Sequence, residues 1–190
     1  MKRIRQYFRN ACFPHVLPDY KKGEGDRPAY GYCILKASQL AYNLGYKKMS
    51  IIEFGVAGGA GLLSIEDTCR LIQRGLDIEF EIYGFDTGEG LPAPIDYRDE
   101  PYKWGEGFYT MDHERARQKL KSSNLVLGNV KDTIKTFFSE YSPAPIGCII
   151  FDLDLYSSTK SALTLFRCQD EFILPRVMCI FDNIGSIEYV

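Results

Sequence analysis

Apolar positions along this chain alternate between two periods. Short runs rich in β-branched and aromatic residues predict strands at Ile51 to Phe54, Phe80 to Phe85, Asn124 to Leu127, Cys148 to Phe151 and Val177 to Phe181. The Cys148–Phe151 run is continuously apolar, as a strand buried on both faces should be. Between the runs, apolar residues recur at helical spacing. Cys33, Ala37, Leu40, Ala41 and Leu44 predict a helix that opens at Pro28 and stops at Gly45. Leu62, Ile65, Cys69 and Ile72 predict another that ends at Gly75, and a further helix covers Glu114 to Leu120. Val130, Ile134, Phe137, Phe138 and Tyr141 mark the next, stopped by Pro143 and Pro145. A last helix, capped by Ser158, carries Ala162, Leu163, Leu165, Phe166 and Phe172. Strands alternating with helices predict parallel βαβ units with right-handed crossovers. The expected fold class is α/β, a three-layer Rossmann-like arrangement around a mostly parallel sheet.

Two segments fall outside this alternation. Residues 1–27 are basic and aromatic, then polar, and read as an arm or lid ahead of a domain spanning residues 28–190. The stretch from Asp86 to about Thr110 holds Pro92, Pro94, Pro101 and several glycines. A connection of that length without periodicity is usually functional or disordered.

Composition narrows the function. A chain of 190 residues suits one domain with a sizeable core, and 45% hydrophobic with 25% charged residues is ordinary for a soluble protein. A formal charge of -2 gives no general attraction to nucleic acid or anionic membrane. Lys2, Arg3, Arg5 and Arg9 are followed by Asn10, Pro14 and His15 before any apolar run, so no secretory signal is read, and no stretch reaches membrane-spanning length. The expectation is a soluble, cytoplasmic protein. Its six cysteines form no C-x-x-C pair and read as reduced, buried thiols. His15 and His113 are the sole histidines, too few for a histidine-rich zinc site.

The densest chemical signal is Glu53-Phe54-Gly55-Val56-Ala57-Gly58-Gly59-Ala60-Gly61, between a predicted strand and a predicted helix. Glycines there let the backbone turn tightly and approach a ligand. The dinucleotide fingerprint needs glycine at three fixed offsets, and no register supplies them: from Gly55 the later positions are Ala57 and Ala60, and from Gly59 the last is Ser64. A carboxylate at Glu53 would repel a pyrophosphate and attract the ammonium of an amino-acid ligand. Asp86 ends the next strand, where it could accept the ribose hydroxyls of a nucleoside at the switch point of the sheet, with Thr87 beside it. Gly128 and Asn129 follow the third strand, at the adenine position. Gly55, Ala57, Gly58 and Gly59 with Glu53, Asp86, Thr87, Gly128, Asn129 and Asp152 are thus the candidate cofactor residues. The alternative is that Glu53 and Asp86 are solvated strand ends.

Asp152, Asp154, Asp182 and Asn183 fall at the ends of the fourth and fifth strands, where hard oxygen donors suit Mg²⁺. Helix capping is the competing reading for these carboxylates. Asp154 and His113 are the candidate proton acceptors. Trp104, Phe108 and Tyr109 could cover the cofactor or the acceptor, or simply anchor the loop.

Several of these segments resemble the macrocin-type (TylF/MycF) branch of class I S-adenosylmethionine (SAM) methyltransferases. They are Ile52 to Gly59, Gly84 to Pro92, Trp104 to Phe108, Leu125 to Thr133 and Asp152 to Thr159, in that order. The resemblance implies SAM binding and Mg²⁺-dependent O-methylation of a sugar hydroxyl on a natural product, with Asp154, Asp182 and Asn183 as metal ligands. Two departures stand out: Gly88 replaces a bulkier residue, and the fifth strand ends Asp182-Asn183 where the family has two aspartates. A sheet of this family continues with two more strands, so the chain is expected to lack its last strands. Val177 to Phe181 would then be an apolar edge, and self-association through it is expected. A SAM-binding module without catalysis and a nucleotide-sugar or dinucleotide enzyme are the competing functions; the glycine pattern disfavours the latter.

Overall fold

The computed structural model of the chain describes residues 27–182. Residues 1–26 of the expected 1–27 arm, with Cys12 and His15, and Asn183 lie outside the described residues. The chain runs α1 (Pro28–Asn43), β1 (Lys48–Phe54), α2 (Ala60–Gln73), β2 (Glu79–Asp86), α3 (His113–Lys119), β3 (Ser123–Leu127), α4 (Val130–Tyr141), β4 (Ile146–Phe151), α5 (Tyr156–Ala162) and β5 (Ile173–Phe181). The five strands form one sheet in the order β3-β2-β1-β4-β5, and every pairing is parallel. Helices cover both faces. Residues of α1 and α2 build one core with Ile51, Ile82 and Ile150, and residues of α4 and α5 build the other with Ile52, Tyr83 and Ile149. Alternate residues of a strand point to opposite faces, so each buried strand feeds both layers.

Pro28 opens α1 as a pre-set first helical residue, and Gly45 at φ +87° ends it. The buried face differs from the expected stripe. Tyr30, Ile34, Leu35, Ala37, Ser38 and Ala41 are buried, whereas Leu44 is 50% exposed. The helix packs against α2, β4 and β5 together, and Ser38 is accommodated because its hydroxyl donates to the Ile34 carbonyl at 2.7 Å. The expected face of α2 is observed: Leu62, Ile65, Cys69 and Ile72 are all buried.

Two further expectations are corrected. The last helix begins at Tyr156 without a side-chain cap, so Ser158 lies inside its first turn, and after Ala162 the chain tightens into 3₁₀ turns at Leu163–Arg167 and Asp170–Phe172. Leu163 and Phe166 are exposed there. Strand β5 starts at Ile173, ahead of the expected Val177, despite Pro175. It is the edge strand of the described sheet, where the missing N–H of a proline is tolerated. Ile146 pairs with Ile173 and Cys148 with Met178, so the surplus residues of β5 bulge out of register. Edge position also explains why Cys179 is exposed, whereas Cys69 and Cys148 are buried as expected. Among the described residues, no helix is long and apolar enough to cross a membrane.

The strands end in step. Phe54 is the register partner of both Phe85 and Phe151, and Phe151 of Phe181. Their rings form a row across the sheet, with centroids 4.8 Å, 5.4 Å and 4.5 Å apart for Phe85–Phe54, Phe54–Phe151 and Phe151–Phe181. Phe137 of α4 closes on it edge-on, 5.0 Å from Phe85. Each such pair contributes about 0.5–1.5 kcal/mol beyond area burial. Replacing Phe151 by Ala, a central member that is 2% exposed, should therefore cost about 3–5 kcal/mol in urea unfolding. A loss below about 1 kcal/mol would show that the row is loosely packed.

Candidate functional site

The residues that follow this phenylalanine row are Gly55, Asp86, Asp152 and Asp182, and all of them line a cleft of about 390 Å³. The cleft opens at the carboxyl ends of β1 and β4, where the strand order reverses direction. That switch point is where open α/β sheets bind ligands.

The turn after β1 is shaped by close contacts. Gly55 has φ +88°, and a Cβ there would lie 1.9 Å from the Asp152 carbonyl oxygen, so neither the conformation nor the space admits another residue. Gly58 is different: a Cβ would meet nothing within 4 Å, because its open side is the cleft itself. Gly59 caps α2 and does not line the cleft. The turn is tied to β2 through Asp86. The Val56 and Ala57 N–H groups each donate to Asp86 Oδ2 at 2.9 Å, and the Gly88 N–H donates to Oδ1 at 2.7 Å. A carboxylate has room for about four hydrogen bonds, so Oδ1 still has acceptor capacity toward the cleft. Thr87 lines the cleft too, its hydroxyl donating to the Gly90 carbonyl. Gly128 and Asn129 face the same space, with the Asn129 side chain capping α4 by accepting from the Lys131 N–H.

Glu53 is not a solvated strand end. It is 1% exposed and absent from the cleft lining. Its carboxylate occupies the space beside Gly61, where a Cβ would come within 1.8 Å of Oε1. Gly61 thus serves the carboxylate, which its pattern alone did not reveal. Neither Glu53 oxygen meets full hydrogen-bond geometry with a described residue, although the Tyr30 hydroxyl is near enough to draw its pKa down. The nearby Tyr30 hydroxyl is directed to Asp152 Oδ2 at 3.3 Å. Burial pushes the Glu53 carboxyl up to about 8, against the pull of the Arg27 guanidinium. Arg27 pairs with Asp152 at 2.7 Å. Asp182 is also raised, first by burial and then by the neighbouring Asp152 charge. Glu53, Asp152 and Asp182 therefore crowd around one guanidinium.

The long segment after Asp86 forms the opposite wall. Its halves pair as a short ladder, Leu91 N–H to the Phe108 carbonyl and Gly107 N–H to the Leu91 carbonyl, each 2.8 Å. Asp99, which sequence reasoning missed, pins the segment to α5. It is fully buried, accepts the Ile95 and Asp96 N–H groups at 2.9 Å and 3.0 Å, and accepts the Ser157 N–H of α5 at 2.7 Å. An acidic residue inside a proline-rich loop was the available signal. Trp104, Phe108 and Tyr109 consequently line the cleft. Asp154 lines it as well, whereas His113 does not. The His113 ring sits over Gly88 at the exposed start of α3, where a Cβ on residue 88 would lie 2.4 Å from Cε1. A small residue at Gly88 and the placement of His113 are one feature.

The expected Mg²⁺ ligands are described in part. Asp154 and Asp182 both line the cleft, Asn183 lies outside the described residues, and no group of three His, Cys, Asp or Glu among the described residues is placed to hold a metal ion.

Sheet order, layers and cleft together define the three-layer Rossmann-like α/β fold of class I methyltransferases. Solved structures share it, among them two of one enzyme. The chain is similar to the calicheamicin methyltransferase CalS11, with a TM-score of 0.64, 22% identity, and coverage of 95% of this chain and 75% of that one. It is also similar to the apo structure of CalS11, described as a TDP-rhamnose 3′-O-methyltransferase of calicheamicin biosynthesis, with a TM-score of 0.51, 21% identity, and coverage of 99% and 78%. No family model and no curated protein matches the chain. At this identity the likeness shows the fold.

Two outcomes follow from this geometry. Between pH 4.5 and about 8 the folded chain retains a proton on Glu53 that the unfolded chain has released, so stability should fall as pH rises through that window. Urea unfolding at either end of the window should show that decline in the wild type and a smaller one in Glu53→Gln; equal slopes would contradict the burial argument. Asp99→Ala leaves buried N–H groups unpaired and should lower stability by about 1–3 kcal/mol, while raising proteolysis between Pro92 and Trp104. Unchanged cleavage there would show that Asp99 does not hold the wall.

Proposed function

We propose that this chain is a SAM-dependent O-methyltransferase acting on a hydroxyl group of a small molecule, with a sugar on a natural product as the acceptor class. The observation that carries this reading is the cleft itself. A glycine turn with one open position, a strand-end carboxylate with acceptor capacity, and the further carboxylates Asp152, Asp154 and Asp182 converge at the switch point. That set suits a nucleoside bearing an amino acid, and the anionic rim opposes a pyrophosphate. The acceptor class is supported by the resemblance in the segments around Gly55, Asp86 and Asp154 and by the sugar O-methyltransferase activity of CalS11.

When bound, SAM supplies an electrophilic methyl group. The chain's own residues do the rest. Val56 to Gly58 give close backbone approach, and Asp86 accepts from the ribose. Gly128 and Asn129 flank the base. Trp104, Phe108 and Tyr109 cover the acceptor and exclude water. Asp154, on the cleft wall ahead of α5, accepts the acceptor's hydroxyl proton as the new C–O bond forms. Positioning of acceptor against donor supplies most of the acceleration in such a transfer.

Gly58→Val tests the placement. Its Cβ meets no protein atom, so the fold should persist by circular dichroism while the side chain fills the cleft. Calorimetry should show loss of SAM binding. Unchanged affinity would place the cofactor elsewhere.

A further inference from the structure

Among the described residues lining the cleft, the carboxylates are Asp86, Asp152, Asp154 and Asp182, and the single cation is Arg27. An isolated guanidinium on an acidic wall invites a reason. Arg27 lies immediately before α1, and its Nη1 donates to Asp152 Oδ2 at 2.7 Å and to the Tyr30 hydroxyl. Its planar group also stands over the Tyr30 ring, 4.9 Å from the centroid. Both hydrogen bonds use Nη1. A guanidinium has further N–H donors on Nε and Nη2, fixed in a plane that matches a carboxylate, and no described residue is recorded as accepting from them. The side chain is therefore braced along one edge, with its other donors available on the cleft side.

The surroundings say which kind of ligand those donors meet. Asp152 contacts the Gly55 turn through its carbonyl, so Arg27 and Gly55 mark the same end of the cleft. The Glu53 carboxyl is buried behind that end, near Arg27 and outside the cleft lining. A cation with spare donors at the Gly55 end of a cleft lined there by Asp152 and Asp182 is complementary to a ligand that carries a carboxylate and an ammonium on one carbon. We propose that Arg27 is the residue that recognises the α-carboxylate of the cofactor's amino-acid end. This rests on the SAM reading above and adds a specificity determinant to it. Arg27 separates a complete amino-acid nucleoside from one that has lost its amino-acid arm.

The test compares two thioethers that differ in that arm, S-adenosylhomocysteine and 5′-methylthioadenosine. Calorimetry on the full chain should show that Arg27→Gln weakens S-adenosylhomocysteine by about tenfold or more, as expected for a lost charge-assisted pair. It should leave 5′-methylthioadenosine within about twofold, since the adenosine contacts lie elsewhere, and retained binding of that ligand also reports that the variant is folded. Arg27→Lys keeps the charge without the fork and should fall between. Equal weakening of both ligands would overturn the proposal and reduce Arg27 to a brace for Asp152, and no weakening of either would overturn it outright. A wild-type chain that binds neither ligand would reject the SAM reading, and this inference with it.

Discussion

Everything at the cleft depends on the strands stopping at one level. The row Phe85, Phe54, Phe151 and Phe181 fixes that level, because a slip of one residue would turn each ring to the opposite face of the sheet and break the ring contacts. With the rings aligned, the next residue on each strand arrives at the rim together: Asp86, Gly55, Asp152 and Asp182. The hydrophobic layer beneath thus sets the spacing of the polar layer above. Acidic groups that would repel one another are held close by packing that stabilises the sheet regardless of them.

Much of this was legible in the chain. Parallel βαβ order, the buried run Cys148 to Phe151 and the glycine turn after Phe54 follow from period and composition, because those signals are local. The shared ending of the strands was also present, as Phe-Asp repeated at Phe85-Asp86, Phe151-Asp152 and Phe181-Asp182. Its meaning depends on register, which belongs to pairs of strands and not to any one of them. The early start of β5 was hidden by Pro175, a strand breaker in the middle of a sheet but harmless at the edge.

Other parts were illegible for a different reason. Gly61 is required by the Glu53 carboxylate across the turn, and Asp99 is required by a helix that begins at Tyr156. Neither partner is near in sequence. Arg27 is the same case: its partner Asp152 follows a strand far along the chain. Asp152, at the end of the fourth strand, is held by a side chain from the start of the first helix. Long-range polar contacts of this kind build the site, and local pattern carries no record of them.

The central claim is that the cleft receives an amino-acid nucleoside and not a dinucleotide. Calorimetric titration of the chain with SAM and, separately, with NAD⁺ tests it most directly. The account predicts saturable binding of SAM at one site per chain and no binding of NAD⁺. Saturable NAD⁺ binding with none of SAM would contradict it.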